Sequence, residues 1–122
     1  MPFQISTTRS FAAAHALRFP DGSVEPTHGH NWRVKVTVSA DTLDPLGCVM
    51  DFHELERIVD LVVTPWHNRF LNEMFPFDRE LNPSTENVAY EVARSMEALP
   101  KGVKLLSVEV WETDTNAAIY QP

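Results

Sequence analysis

The sequence predicts an α+β fold, a four-stranded antiparallel sheet with two helices covering one face. Three observations lead there. Residues 3–14 and about 29–39 alternate in the manner of half-buried strands. Two later stretches carry apolar residues three and four apart, each behind a helix-capping residue. Residues 104–113 and 116–121 read as a closing antiparallel pair.

The elements follow in order. In the second strand, Val34, Val36 and Val38 share one face, while Arg33, Lys35 and Thr37 take the other. The stretch from Asp41 to Gly47 is polar and broken by Pro45 and Gly47, so it reads as a turn region. Asp51 and Glu54 form an Asp-x-x-Glu helix start, and Phe52, Leu55, Val59 and Val62 follow as an apolar stripe until Pro65. Residues 65–83 then read as a long, mostly irregular connection, a length that often carries function. A second helix begins near Ser84 or Thr85. Val88, Val92 and Leu99, with Ala89 and Ala93, form its buried stripe, and Pro100-Lys101-Gly102 ends it.

At 122 residues the chain makes one domain, 1–122, with enough apolar content for a core. The net charge of −7 argues against nucleic acid and anionic membranes as partners. A phosphorylated small molecule remains compatible, because its site needs only a few local cations. No apolar run is long enough to span a membrane, and the first residues resemble neither a signal nor a transit peptide. The single Cys48 excludes an internal disulfide. A cytoplasmic location is expected.

Histidine carries the clearest chemical signal. His28 and His30 stand two apart in His28-Gly29-His30-Asn31-Trp32, on the parity of the apolar valines. Two imidazoles on the core face of a sheet are costly without partners. A third, His15, ends Phe11-Ala12-Ala13-Ala14-His15. Three histidines and no fourth protein ligand is the pattern of a catalytic zinc site with an open position, although copper, nickel and iron also accept such a set. The competing reading is three core histidines satisfied by hydrogen bonds.

Further segments give the chain a familiar order: Gly47-Cys48-Val49-Met50-Asp51-Phe52, His67-Asn68-Arg69-Phe70-Leu71-Asn72, Asn82-Pro83-Ser84-Thr85-Glu86-Asn87 and Trp111-Glu112-Thr113. Together with the histidine segments they resemble the 6-pyruvoyltetrahydropterin synthase / 6-carboxytetrahydropterin synthase family over nearly the full length. The resemblance implies the tunnelling fold, with subunits joined into rings as a homo-oligomer, a hexamer or tetramer, and active sites between subunits. It implies 7,8-dihydroneopterin triphosphate as substrate and His15, His28 and His30 as zinc ligands. It also implies Glu112 as the residue that grips the pterin, for which its parity with Val108 and Val110 is suited, with Ser84 and Thr85 beside it. Ser84 and Thr85 have a simpler role open to them, that of capping the second helix.

Two departures from the family pattern stand out. The usual catalytic Cys before His-Gly-His is absent from Ser23-Val24-Glu25-Pro26-Thr27, which offers Glu25 instead. This is similar to a subclass with Glu-x-x-His-Gly-His, linked to folate synthesis, that cleaves the side chain to 6-hydroxymethyl-7,8-dihydropterin. A carboxylate suits a hydroxyl already acidified by a metal better than it suits a C–H bond. Glu25 is therefore the expected base, its bland alternative being a solvated loop carboxylate. The second departure is Trp66, where the family has Asp before the His matching His67. His67 is a candidate proton shuttle whose tautomer needs another partner, Asp51 or Asp114. Arg18 and Arg69 are candidates for the triphosphate, and His53 reads as a helix-surface residue. The favoured function is a zinc-dependent pterin lyase. A 6-carboxy- or 6-pyruvoyl-tetrahydropterin synthase and a non-catalytic pterin- or metal-binding relative are the alternatives.

Overall fold

A computed structural model describes all residues, 1–122. The two long strands, β1 (Phe3–His15) and β2 (His28–Ala40), pair antiparallel along their full lengths, from Phe3 opposite Ala40 to His15 opposite His28. Helix α1 (Phe52–Val63) follows, then the short strand β3 (Arg69–Phe70), helix α2 (Thr85–Ser95), β4 (Lys104–Trp111) and β5 (Ala117–Tyr120). The sheet has five strands in the order β3-β1-β2-β4-β5.

The expected four-stranded antiparallel sheet is thus one strand short. β3 lies parallel to β1, opposite Ala13 and Ala14. It forms because the Asn68 N–H docks on the Ala12 carbonyl at 2.6 Å. Two residues are too few to show a period in sequence, and β3 hides in the 65–83 connection, which otherwise holds two 3₁₀ turns.

The helices stand on one face. Val34, Val36 and Val38 of β2 and Val108 and Val110 of β4 are fully buried against Leu55 and Val59 of α1 and Val88 and Val92 of α2. Arg9 on β1 ties α1 down through Asp60 at 2.8 and 2.9 Å and Glu56 at 3.1 Å. Asp51 caps α1 as expected, accepting from the His53 N–H at 2.9 Å.

Two helix details differ from expectation. The buried face of α1 is Leu55, Ile58, Val59 and Val63, while Phe52 is exposed at the first helical position. Helix α2 ends at Ser95, not at Pro100, and Leu99 reaches the core from the irregular segment that follows. A positive φ at Ala98 turns the chain there, a conformation no helix continues through. No helix is long and apolar enough to cross a membrane.

Candidate metal centre

His15 is the last residue of β1 and His28 the first of β2, so the antiparallel register alone brings them face to face. His30 lies two residues further along β2, on the same side of the sheet. Beneath them is the fully buried Trp32, whose indole N–H donates to the Ala13 carbonyl at 3.1 Å and whose ring meets the edges of His15 and His30. A stack on Phe11 fixes that ring in turn. The period-two pattern of the two strands thus places three imidazoles on a rigid aromatic floor.

Two backbone carbonyls set the tautomers. His15 donates from Nδ1 to the Pro83 carbonyl at 2.7 Å, and His28 donates from Nδ1 to the Pro26 carbonyl at 2.9 Å. Each Nε2 is then left as an acceptor, and the two stand only 3.1 Å apart. Two lone pairs at that distance repel unless a cation lies between them. His30 Nε2 is buried and 2.8 Å from Glu112 Oε1, yet not aligned to hydrogen-bond it, so it has no partner. Burial pushes His30 below the ordinary imidazole pKa, against the pull of Glu112, and favours its neutral, ligating form.

Glu112 follows β4 directly, and its Oε1 also lies 3.3 Å from His15 Nε2 and 3.9 Å from His28 Nε2. The four donor atoms fall within 4.8 Å of one another. Tetrahedral ligands about 2.0–2.1 Å from a zinc ion are about 3.3 Å apart. The donor set, the carbonyl-fixed tautomers and the orphaned His30 nitrogen all fit a metal ion.

The other Glu112 oxygen, Oε2, accepts the Thr85 hydroxyl at 2.7 Å. Burial alone would raise the Glu112 pKa, but the Thr85 hydrogen bond and the neighbouring His30 and His15 imidazoles outweigh it, and the carboxyl is held below its ordinary value. Ser84 is the N-cap of α2 and accepts from the Asn87 N–H. The start of α2 thus acts three times: Pro83 holds His15, Ser84 ends the helix, and Thr85 holds Glu112.

Glu25 is about three-quarters buried. Its Oε1 accepts the Leu17 N–H at 3.0 Å and lies 3.9 Å from His28 Nδ1, while Oε2 has no partner. It is therefore a positioned carboxylate at the back of His28, not a solvated loop residue. Its backbone N–H donates to the Leu17 carbonyl at 3.0 Å.

His67 is not brought to this group. It is exposed beside β1, where its Nδ1 accepts the Ala12 N–H at 3.0 Å. That bond sets its tautomer, so neither Asp51 nor Asp114 does. Trp66 is buried between Phe11 and Phe77 as a packing residue. Arg18 braces the following loop, donating from Nη2 to the carbonyls of Phe77 at 2.6 Å and Asn72 at 3.3 Å. Arg69 is exposed over an open depression floored by Ala12, Gly29 and Asn31. His53 and Cys48 are exposed and away from the histidines.

Sequence pattern gives no role to Asn72 or Asn82. Each side-chain amide pairs with a backbone unit just past His15: Asn72 with the N–H and carbonyl of Ala16 at 2.9 and 2.7 Å, Asn82 with those of Arg18 at 2.9 and 3.0 Å. Glu25 completes the set on Leu17. Three side chains thus extend the hydrogen-bonding of β1 beyond its end. The only signal in the sequence is that both Asn lie in segments that resemble the family.

Residues 4–122 match the family model for 6-pyruvoyl tetrahydropterin synthase. Among curated relatives, a "Dihydroneopterin monophosphate aldolase" of Pyrococcus furiosus is 36% identical over 113 residues, covering 92% of this chain and 91% of that protein. A "6-carboxy-5,6,7,8-tetrahydropterin synthase" of Synechocystis is 37% identical over 117 residues, covering 91% and 87%. The structure of the Caenorhabditis elegans 6-pyruvoyl tetrahydropterin synthase superposes with a TM-score of 0.85 at 26% identity, covering 98% of this chain and 95% of that one.

Proposed function

Because the chain belongs to the 6-pyruvoyl tetrahydropterin synthase family, we propose that it is a zinc-dependent pterin lyase that cleaves 7,8-dihydroneopterin triphosphate to 6-hydroxymethyl-7,8-dihydropterin. The observation that carries this reading is Glu25. A carboxylate about three-quarters buried, with one free oxygen, stands beside His28, and the one thiol of the chain, Cys48, is exposed elsewhere. Similarity to an aldolase of Pyrococcus furiosus supports the same direction.

His15, His28 and His30 would hold the metal ion, which when bound would lower the pKa of a substrate side-chain hydroxyl. Glu25 takes that proton on Oε2. The adjacent carbon–carbon bond then breaks. The carbon bearing the new carbonyl leaves as a two-carbon phosphorylated aldehyde, and the electron pair enters the dihydropterin ring. A proton returns to the carbon left on the ring, which gives the hydroxymethyl group. Glu112 holds the amino-pyrimidine edge, with Ser84 and Thr85 at its side. Arg18, whose Nε and Nη1 are uncommitted, and Arg69 meet the phosphates.

His67 fits this scheme as a proton donor only in another subunit's site, since it stands at the outer edge of β1. We therefore propose a homo-oligomer in which adjoining sheets bring His67 to a neighbouring histidine group. The 37% identity to a carboxytetrahydropterin synthase favours a second reading, in which the product is a tetrahydropterin. Mass spectrometry of products from zinc-loaded protein separates the two, with dihydroneopterin triphosphate and monophosphate supplied in parallel. Formation of 6-hydroxymethyldihydropterin is expected, and a tetrahydropterin product would overturn the lyase reading.

A further inference from the structure

We propose that Glu112 is a fourth donor to the metal at rest, parked there by Thr85, and that a bound pterin draws its carboxylate off and so opens the metal to the substrate hydroxyls. The inference rests on the pterin reading above and deepens it. One carboxylate cannot do both jobs at once. To grip an amino-pyrimidine edge it must present two free oxygens side by side. Here Oε1 faces three imidazole nitrogens at 2.8, 3.3 and 3.9 Å, and Oε2 is taken by Thr85 at 2.7 Å. Binding of the ring therefore requires that Glu112 leave the histidines.

The surroundings permit the exchange. Glu112 lies just beyond the last residue of β4, where its own N–H is tied to the Asn116 carbonyl at 3.1 Å, so the side chain can swing while the backbone stays in place. Its side chain is 28% exposed, against 2% for His15. The oxygen that leaves is replaced by a substrate oxygen of the same hard-donor type, and the freed carboxylate gains two ring N–H donors. Glu112 holds the fourth position until the correct ring arrives, which couples recognition of the pterin to exposure of the reactive position.

Cobalt(II) reports this without turnover. The full chain, Glu112→Ala and Thr85→Val are loaded with cobalt(II), and affinity is measured by chelator competition beside the visible absorption bands. Glu112→Ala is expected to weaken cobalt binding about tenfold or more and to change the bands. Thr85→Val, which keeps the packing shape, is expected to weaken it several-fold. Adding neopterin to the wild-type chain should shift its bands in the direction that Glu112→Ala does. Equal affinity and identical bands in wild type and Glu112→Ala would overturn the resting ligand. Neopterin binding, followed by its fluorescence, that leaves the wild-type bands unmoved would overturn the exchange. If neopterin does not bind at all, the pterin reading and the exchange both fail, while the cobalt affinities still decide whether Glu112 is a ligand.

Discussion

The side-chain amide of Asn72 exchanges two hydrogen bonds, 2.9 and 2.7 Å long, with the backbone of Ala16, the residue after His15. A loop side chain thereby does what a neighbouring strand would do, and it holds the first metal-facing imidazole in register. Replacing Asn72 with Ala leaves the N–H and carbonyl of the fully buried Ala16 without protein partners. Thermal or denaturant unfolding should show a loss of about 1–3 kcal/mol. Metal affinity should fall with it, although Asn72 touches no ligand, and an unchanged affinity would show that His15 is held by Pro83 alone.

Protein prepared without chelators should carry about one zinc per chain. His28→Ala should lose it, because two imidazoles and a carboxylate with a competing hydroxyl partner make a poor site. The fold should survive, since the His28 side chain is 40% exposed and lies outside the buried core, and circular dichroism on the variant checks this. Metal analysis showing no transition metal in the wild-type chain would contradict the site.

Glu25→Gln should retain zinc and pterin binding and lose turnover by about 100–10,000-fold. The amide oxygen of Gln can still accept the Leu17 N–H, so this variant separates proton transfer from support of the strand end. Glu25→Ala removes both functions and should also lower the melting temperature. Wild-type product formation by Glu25→Gln would leave the proton to a neighbouring subunit's His67 or to hydroxide at the metal.

Glu112→Gln should weaken pterin binding by about 2–5 kcal/mol if the ring edge is buried, since the amide sets a donor against a ring N–H. Isothermal titration with neopterin measures it. An unchanged affinity would leave Glu112 with the metal alone.

Light scattering at micromolar concentration should find an oligomer. The sheet ends in two short edge strands, β3 and β5, and Ile119 on β5 is 60% exposed. If His67 serves a neighbouring site, inactive Glu25→Gln and His67→Ala chains should regain activity when refolded together. Failure to complement, with mixed oligomers present, would remove His67 from the chemistry.

Much of this was decided by local pattern. Period two put His28, His30 and the β2 valines on one face, and one register, His15 opposite His28, needed only two long antiparallel strands. The Asp51 cap and the Val88, Ala89, Val92 and Ala93 face of α2 were equally legible, because capping and helical spacing act within a few residues. The family resemblance supplied roles for Glu25 and Glu112 that spacing alone does not carry.

The remaining features depend on contacts between residues far apart in the chain. The tautomers of His15 and His28 are set by carbonyls of Pro83 and Pro26, and backbone carbonyls have no sequence signature. β3 exists because Asn68 happens to meet Ala12, a pairing 56 residues apart that two residues cannot announce. Thr85 reaches Glu112 only because α2 packs over β4 with its N-terminus at the strand's far end. Sequence pattern fixes which face a side chain takes. Which partner stands opposite depends on how the layers are stacked, and that is settled by the packing of the whole core.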